Sequence, residues 1–111
     1  VNAARNLNLF EISDTNSDVD NFYPSATQIF QNYPNPFNPT TNIQFTLNKL
    51  TDVNLSIYNV LGQNVRTIVD EQLQGGIYSY NLTMNNLSSG VYFAILQTSD
   101  SQKTIRLSLI K

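Results

Sequence analysis

The sequence predicts an all-β domain in which about seven short strands form a two-layer antiparallel sandwich. Apolar and polar residues alternate with a period of two over much of the chain, as in strands that bury one face. Clusters of Gly, Asn and Pro separate these alternating stretches, and no stretch has a sustained helical period. The length of 111 residues suits one domain with a flanking tail.

The first strands follow a segment that begins the domain at residues 23–31. That segment is expected to supply Ile29 and Phe30 as the first apolar anchors. Two stretches with strict alternation come next, and each is expected to bury one face. A Gly-containing turn at Asn59–Gln63 then leads into a shorter strand, residues 65–69. The side chains predicted to face inward are Ile43, Phe45 and Leu47 in the first stretch, and Val53, Leu55 and Ile57 in the second.

The second half of the chain continues the pattern. A turn at Gln74–Gly76 precedes one strand, and a further turn at residues 85–90 follows it. Residues 91–97 are almost continuously apolar, which predicts a central strand with both faces covered. The closing strand spans residues 104–110. The predicted inward residues are Tyr78, Tyr80 and Leu82 before the second turn, and Ile105, Leu107 and Leu109 in the closing strand.

The most distinctive segment is YPNPFNPTTN, from Tyr33 to Asn42. Each Pro fixes its own φ and favours an extended conformation in the preceding residue. Each preceding Asn is able to fold its side chain back onto its own backbone as an Asx turn. We therefore expect a rigid double Asn-Pro turn that presents Phe37 for burial.

Residues 1–22 are predicted to be a linker or the end of a preceding region, with the domain at residues 23–111. The stretch Ser13–Asn21 is small, polar and acidic, with too little apolar surface to offset its ordering entropy. Its alternating acidic and amide residues also resemble calcium-loop ligands. However, Val19 stands where such a loop needs Gly and Ser25 where it needs Glu, so we favour a solvated linker.

Composition excludes several function classes. The chain has no Cys, His or Trp, so thiolate and imidazole chemistry are unavailable, and we expect no catalytic residues, metal or cofactor. Six scattered basic residues in a chain of net charge −2 argue against nucleic-acid binding. No apolar run is long enough to span a membrane. Only 13% of residues are charged, and the resulting uncharged polar surface suits an extracellular protein. Because the chain starts at Val1, we expect it to be part of a longer protein.

At YPNPFNPTTNIQF the sequence resembles the C-terminal sorting domain of the type IX secretion system of Bacteroidetes and related phyla. The segment Leu55–Val65 is similar to the strand–turn–strand centre of that family, and Leu87–Phe93 is similar to its L-x-x-G-x-Y segment. Lys103–Lys111 resembles its short basic final strand. The resemblance covers residues 24–111. One departure is Leu82, where members often carry Trp.

The resemblance implies an immunoglobulin-like sandwich that follows a secreted cargo. Such domains are recognised by an outer-membrane translocon. A sortase-like cysteine peptidase then removes them and can transfer the cargo to a surface lipopolysaccharide. The protein would pass through the periplasm to the cell surface or the medium, as a monomer that does not insert into the membrane. The family motif residues are Pro34, Asn35, Pro36, Phe37, Asn38, Pro39, Gly62, Gly90, Tyr92, Lys103 and Lys111, and the expected cleavage region includes Ser13, Asn16, Ser17 and Asn21.

Two other functions remain open from the sequence. One is a carbohydrate-binding module, for which the chain has a set of aromatic residues, although core and rim packing is the favoured role for them. The other is a structural immunoglobulin-like spacer. Under the sorting hypothesis, we expect the closing strand to expose its edge and to bind a receptor by strand addition, with basic side chains orienting an acidic partner. The aromatic set is Tyr58, Tyr78, Tyr80, Tyr92 and Phe93.

Overall fold

The computed structural model describes residues 23–111, and these contain seven strands and no helix. The strands form a three-stranded sheet in the order β1-β2-β5 and a four-stranded sheet in the order β4-β3-β6-β7, with antiparallel pairing throughout. The predicted all-β sandwich is confirmed, and this strand order is compatible with an immunoglobulin-like arrangement. The strands are β1 (Gln28–Ile29), β2 (Thr40–Leu47), β3 (Thr51–Tyr58), β4 (Asn64–Leu73), β5 (Gly76–Thr83), β6 (Gly90–Thr98) and β7 (Gln102–Leu109).

The core lies between the inner faces of the two sheets. The inward residues predicted for β2 and β3 are all buried, as are Leu82 of β5 and the alternate residues of β6. Ile105 of β7 is half-buried and packs against this core. The buried apolar residues are Phe37, Ile43, Phe45, Leu47, Val53, Leu55, Ile57, Val69, Leu82, Met84, Tyr92, Ala94, Leu96, Leu107 and Leu109.

Strand pairing gives the sandwich two distinct ends. At the proximal end, Thr51 pairs with Leu73, and Leu47 pairs with Gly76. The described chain begins at this end, because the ring of Tyr23 lies against Gly75. At the distal end lie the turn between β3 and β4, the segment between β5 and β6, and the end of β7. The described residues therefore begin at the proximal end of the sandwich, and their last strand ends at the distal end.

Two strands differ from the sequence-based prediction. β4 has ten residues and extends to Leu73, beyond the predicted 65–69. β4 lies at the edge of its sheet, so its last residues remain exposed and polar. Two register shifts also interrupt the alternation of apolar and polar residues along it. β6 is central, as predicted, but only its inner face is fully covered, because Val91, Phe93 and Ile95 face outward and are half-exposed.

Two residue roles also differ. Phe30 was expected to anchor the start of the domain, but its side chain is 42% exposed, whereas its neighbour Ile29 packs against the core. Met84, which the alternation did not indicate, is completely buried. The linker 1–22, with its acidic stretch, lies outside the described residues.

Most of the aromatic set serves packing. The rings of Tyr78 and Tyr80 stack on fully buried Phe45, with centroid separations of 5.3 and 5.9 Å. Tyr92 is buried, and its hydroxyl donates to the Ser88 carbonyl at 2.7 Å. Tyr58 and Phe93 are half-exposed neighbours on the outer face of the four-stranded sheet. Core and rim packing is therefore the role of Tyr78, Tyr80 and Tyr92.

Candidate functional site

The double Asn-Pro turn is bound to the last strand through the main chain of Phe37. Its N–H donates to the Ser108 carbonyl at 2.9 Å, and its carbonyl accepts from the Ile110 N–H at 2.9 Å. The two segments form a short parallel bridge between Phe37 and Leu109. The ring of Phe37 is 1% exposed, so the predicted burial is confirmed. Main-chain bonds and an apolar anchor thus hold the turn against β7.

Side chains before and within the turn extend this contact along β7. The Asn35 Oδ1 accepts from the Ser108 N–H at 3.0 Å, and the Gln31 Nε2 donates to the Arg106 carbonyl at 2.7 Å. Asn35 was expected to bond its own backbone as an Asx turn, and that expectation is wrong. At the edge of the sheet, the Ser108 N–H has no neighbouring strand to bond to, and the side-chain oxygen of Asn35 accepts its hydrogen bond instead.

A buried polar cluster fixes the start of the turn. Asn32 is 2% exposed, and its Nδ2 donates to the Thr41 hydroxyl at 2.9 Å and to the Pro34 carbonyl at 3.1 Å. Thr41 donates to the same carbonyl at 2.8 Å. The Gln31 amide donates to the Asn32 Oδ1 at 2.7 Å, so the buried side-chain oxygen is also satisfied. The sequence did not indicate Asn32 as a site residue, because no local pattern predicts its burial.

The turn also bonds to the segment that follows β5. The Met84 N–H donates to the Pro39 carbonyl at 3.0 Å, and the Met84 side chain is buried. The X-Pro bonds before Pro34, Pro36 and Pro39 are cis. The double Asn-Pro turn is therefore hydrogen-bonded both to the segment after β5 of the three-stranded sheet and to β7, the closing strand of the four-stranded sheet.

Only half of the β7 edge is covered by these contacts. Alternate residues of an antiparallel edge strand direct their main-chain groups away from the sheet. In β7 these include Thr104, Arg106 and Ser108, and the turn occupies the positions from the Arg106 carbonyl onward. Within residues 23–111, the outward N–H and C=O of Thr104 have no hydrogen-bond partner. The expectation of a fully exposed edge is therefore wrong for the distal half.

A groove lies beside the open half of this edge. It separates β1 from the start of β7 and has a volume of about 400 Å³. Because β1 pairs with β2 and not with β7, the two edges leave this space between the sheets. The groove is lined by Gln28, Ile29, Phe30, Lys103 and Thr104.

Comparison with protein families gives a match over residues 31–111 to the secretion system C-terminal sorting domain. The chain belongs to this family. Comparison with curated proteins gives no match. The match covers the double Asn-Pro turn and every strand from β2 to β7.

Family membership makes the chain a C-terminal sorting signal of the type IX secretion system. It implies a fused N-terminal cargo, contact with the export machinery, and secretion to the cell surface or beyond. A sorting domain is not a catalytic one, which fits the expectation that the chain is not an enzyme. Leu82, the departure from the family pattern noted in the sequence, is 3% exposed and belongs to the core.

The other motif residues of the sorting domain have varied positions. Gly62 lies at the tip of the turn between β3 and β4, and its φ of 79° is one that residues with a side chain rarely adopt. Gly90 begins β6 at the distal end. Lys103 is exposed beside the groove. The Lys111 N–H donates to the Ser89 hydroxyl at 3.0 Å, and its ammonium donates to a main-chain carbonyl. Ser13, Asn16, Ser17 and Asn21, where cleavage was expected, lie outside the described residues.

Charge is distributed unevenly over the described part of the sorting domain. Its four carboxylate side chains lie in the proximal half, and they belong to Asp52, Asp70, Glu71 and Asp100. A hydrogen bond and the positive charge of Lys49, 2.8 Å away, lower the pKa of Asp100. Within residues 23–111 no group of three or more acidic, His or Cys side chains is placed to hold a metal ion, and no helix there is suited to cross a membrane.

Proposed function

We propose that this sorting domain directs an N-terminal cargo across the outer membrane and that a sortase-like cysteine peptidase then removes it. The observation that carries the proposal is the attachment of the double Asn-Pro turn to β7. Both family motifs belong to one hydrogen-bonded unit, so the last strand keeps a defined shape beside an open edge. Such a unit suits recognition by a receptor.

We further propose that the receptor adds a strand to the open half of the β7 edge. Among the described residues, nothing pairs with the outward N–H and C=O of Thr104, and the groove beside β1 leaves room for an extended segment. Lys103 and Arg106 are exposed next to this edge. An acidic extended segment of the receptor would match both the main-chain groups and these charges.

The experiment uses a reporter fused before Val1 and expressed in a host with the type IX system. The exported fraction is measured for the wild-type fusion and for Thr104→Pro. Proline removes the outward N–H of residue 104 and leaves the ladder to β6 intact, so the fusion is expected to fold but to be exported at least tenfold less. Thr104→Val keeps the N–H and is the matched control, with export expected within twofold of wild type.

Deletion of residues 104–111 is a poor test of the same idea. It removes Leu107 and Leu109 from the core, so a loss of export would report unfolding. Equal export of a folded Thr104→Pro fusion would refute strand addition and leave the sorting function intact. Retention of the wild-type fusion in the periplasm would refute the sorting function for this chain.

Cleavage is proposed to occur between Ser13 and Asn21. This stretch precedes the described residues in the chain, and Val19 is its one apolar residue, which is too little to anchor it on a core. Mass spectrometry of the exported reporter should find its new C-terminus within this stretch. An exported reporter that retains the β-sandwich would contradict the cleavage proposal.

A further inference from the structure

Two adjacent aliphatic side chains are exposed at the distal end of the domain. Val60 and Leu61 lie at the tip of the turn between β3 and β4, with 69% and 79% of their surface exposed. Isolated exposed aliphatic residues are common on protein surfaces and need no explanation. Here the two are adjacent in sequence, and neither belongs to the core or to the partly buried residues packed against it.

Hydrogen bonds hold this turn in a fixed shape. The Asn59 Oδ1 accepts from the N–H groups of Leu61 and Gln63 at 2.9 and 3.0 Å, and its Nδ2 donates to the Gln63 side chain at 2.9 Å. The Gly62 N–H donates to the Asn59 carbonyl at 3.0 Å. None of these bonds uses the side chain of Val60 or Leu61. The turn therefore presents both side chains at little entropic cost to a binding event.

A cleft lies between this turn and the segment that leads into β6. It has a volume of about 230 Å³ and lies between residues 59–61 and residues 88–92. Ser89, which lines the cleft, also accepts the hydrogen bond from the Lys111 N–H. Ile110, the preceding residue, is 52% exposed. We define Val60, Leu61, the cleft and Ile110–Lys111 as the distal tip surface.

The side chains in the distal half of the described residues carry a net positive charge. Arg66, Arg106 and Lys111 lie in this half, whereas the four carboxylate side chains of residues 23–111 lie in the proximal half. A partner with carboxylates around an apolar pocket would match this distribution.

A protein partner fits this surface better than a lipid membrane. The side chains of Val60 and Leu61 together contain about half the carbon of a myristoyl chain, which by itself binds membranes only marginally. Polar turn residues also surround the aliphatic pair, as in an apolar patch with a polar rim at a protein interface.

We propose that the distal tip surface docks into an apolar pocket, rimmed by carboxylates, on a protein of the export machinery. The proposal rests on the proposed sorting function, because that function supplies the partner. It adds a contact separate from the β7 edge, since the two surfaces lie at opposite halves of β7.

The test uses the full chain fused to the same reporter. The tip variant, Val60→Ser with Leu61→Ser, should reduce the exported fraction at least tenfold, because it removes the two aliphatic side chains that the partner's pocket would bury. The matched control replaces two exposed aliphatics of the proximal half, Leu50→Ser with Ile77→Ser, and should stay within twofold of wild type. Thermal melting of the purified variants should show that both retain the fold.

Charge is tested in the same way. Lys111→Glu should reduce export at least threefold, whereas Lys49→Glu, at the proximal end, should stay within twofold of wild type. An excess of wild-type chain without a reporter should compete with export of the wild-type fusion. The tip variant of that chain should fail to compete, because it cannot occupy the pocket.

Each failure has a distinct signature. A folded tip variant that is exported and competes like wild type would refute the distal tip surface and leave the sorting function standing. Periplasmic retention of the wild-type fusion would refute the sorting function and, with it, this proposal. Vesicles of phosphatidylethanolamine and phosphatidylglycerol should not bind the wild-type chain. If the wild-type chain binds these vesicles and the tip variant does not, the distal tip surface binds lipid and the proposal is overturned.

Discussion

Replacement of Phe37 by Ala tests whether the double Asn-Pro turn is an architectural element. The ring is 1% exposed and belongs to the core, whereas the bonds of this residue to β7 use only main-chain atoms. The substitution therefore removes the ring and leaves the bonding groups in place. Loss of a buried Phe side chain costs about 3–5 kcal/mol through lost transfer free energy and the remaining cavity.

Urea unfolding of the full chain measures this loss. With a slope of about 2 kcal/mol/M, the midpoint should fall by roughly 1.5–2.5 M. Tyr33→Ala is the matched control, because Tyr33 belongs to the same segment and is 81% exposed. That variant should lose less than about 0.5 kcal/mol. A loss under about 1 kcal/mol for Phe37→Ala would refute the buried anchor.

Three further predictions concern polar contacts. Asn35→Ala should cost about 0.5–1.5 kcal/mol in urea unfolding and accelerate amide exchange at Ser108, because that N–H loses its acceptor. Asn32→Ala should cost about 1–3 kcal/mol by the same measurement, since its bonded partners lose a buried donor. Lys49→Ala should raise the pKa of Asp100 toward its ordinary value in an NMR titration. With Lys49 present, the lowered pKa means that the ionised Asp100 contributes stability above the ordinary pKa, and the contribution is lost as pH falls through the lowered value. An unchanged amide exchange rate at Ser108 would contradict the prediction for Asn35→Ala. A loss of unfolding free energy below about 0.5 kcal/mol would contradict that for Asn32→Ala, and an unchanged pKa of Asp100 would contradict that for Lys49→Ala.

The sequence predicts the inner faces of the sandwich because burial of one face imposes a period of two. Ile43, Phe45 and Leu47 of β2 follow that rule, and all are fully buried. The alternation fails where the strand has an edge or a bulge. The polar end of β4 continues the sheet without an apolar signature, since its side chains remain in water.

A continuous apolar run was a misleading signal in β6. Val91, Phe93 and Ile95 suggested a strand covered on both faces, but a two-layer sandwich leaves the outer face of each sheet to solvent. The central position of β6 was nevertheless predicted correctly. The run alone does not distinguish a half-exposed outer face from a second buried one.

The proposed recognition surface was predictable only in part. The local chemistry of the Pro-rich segment predicted a turn with a buried Phe37, and the structure confirms it. The β7 partners of Asn35 and Gln31 lie 73 and 75 residues away along the chain, and no local pattern identifies them. For that reason the pairing of Asn35 with Ser108 and the resulting half-covered edge of β7 emerged only from the fold.

The most direct test of the sorting function is the location of a reporter fused before Val1. Its accessibility to external protease is compared between a host with an intact type IX translocon and an otherwise identical host that lacks it. The sorting function predicts a protease-accessible or released reporter in the first host and a protected, periplasmic reporter in the second. The same location in both hosts would contradict it.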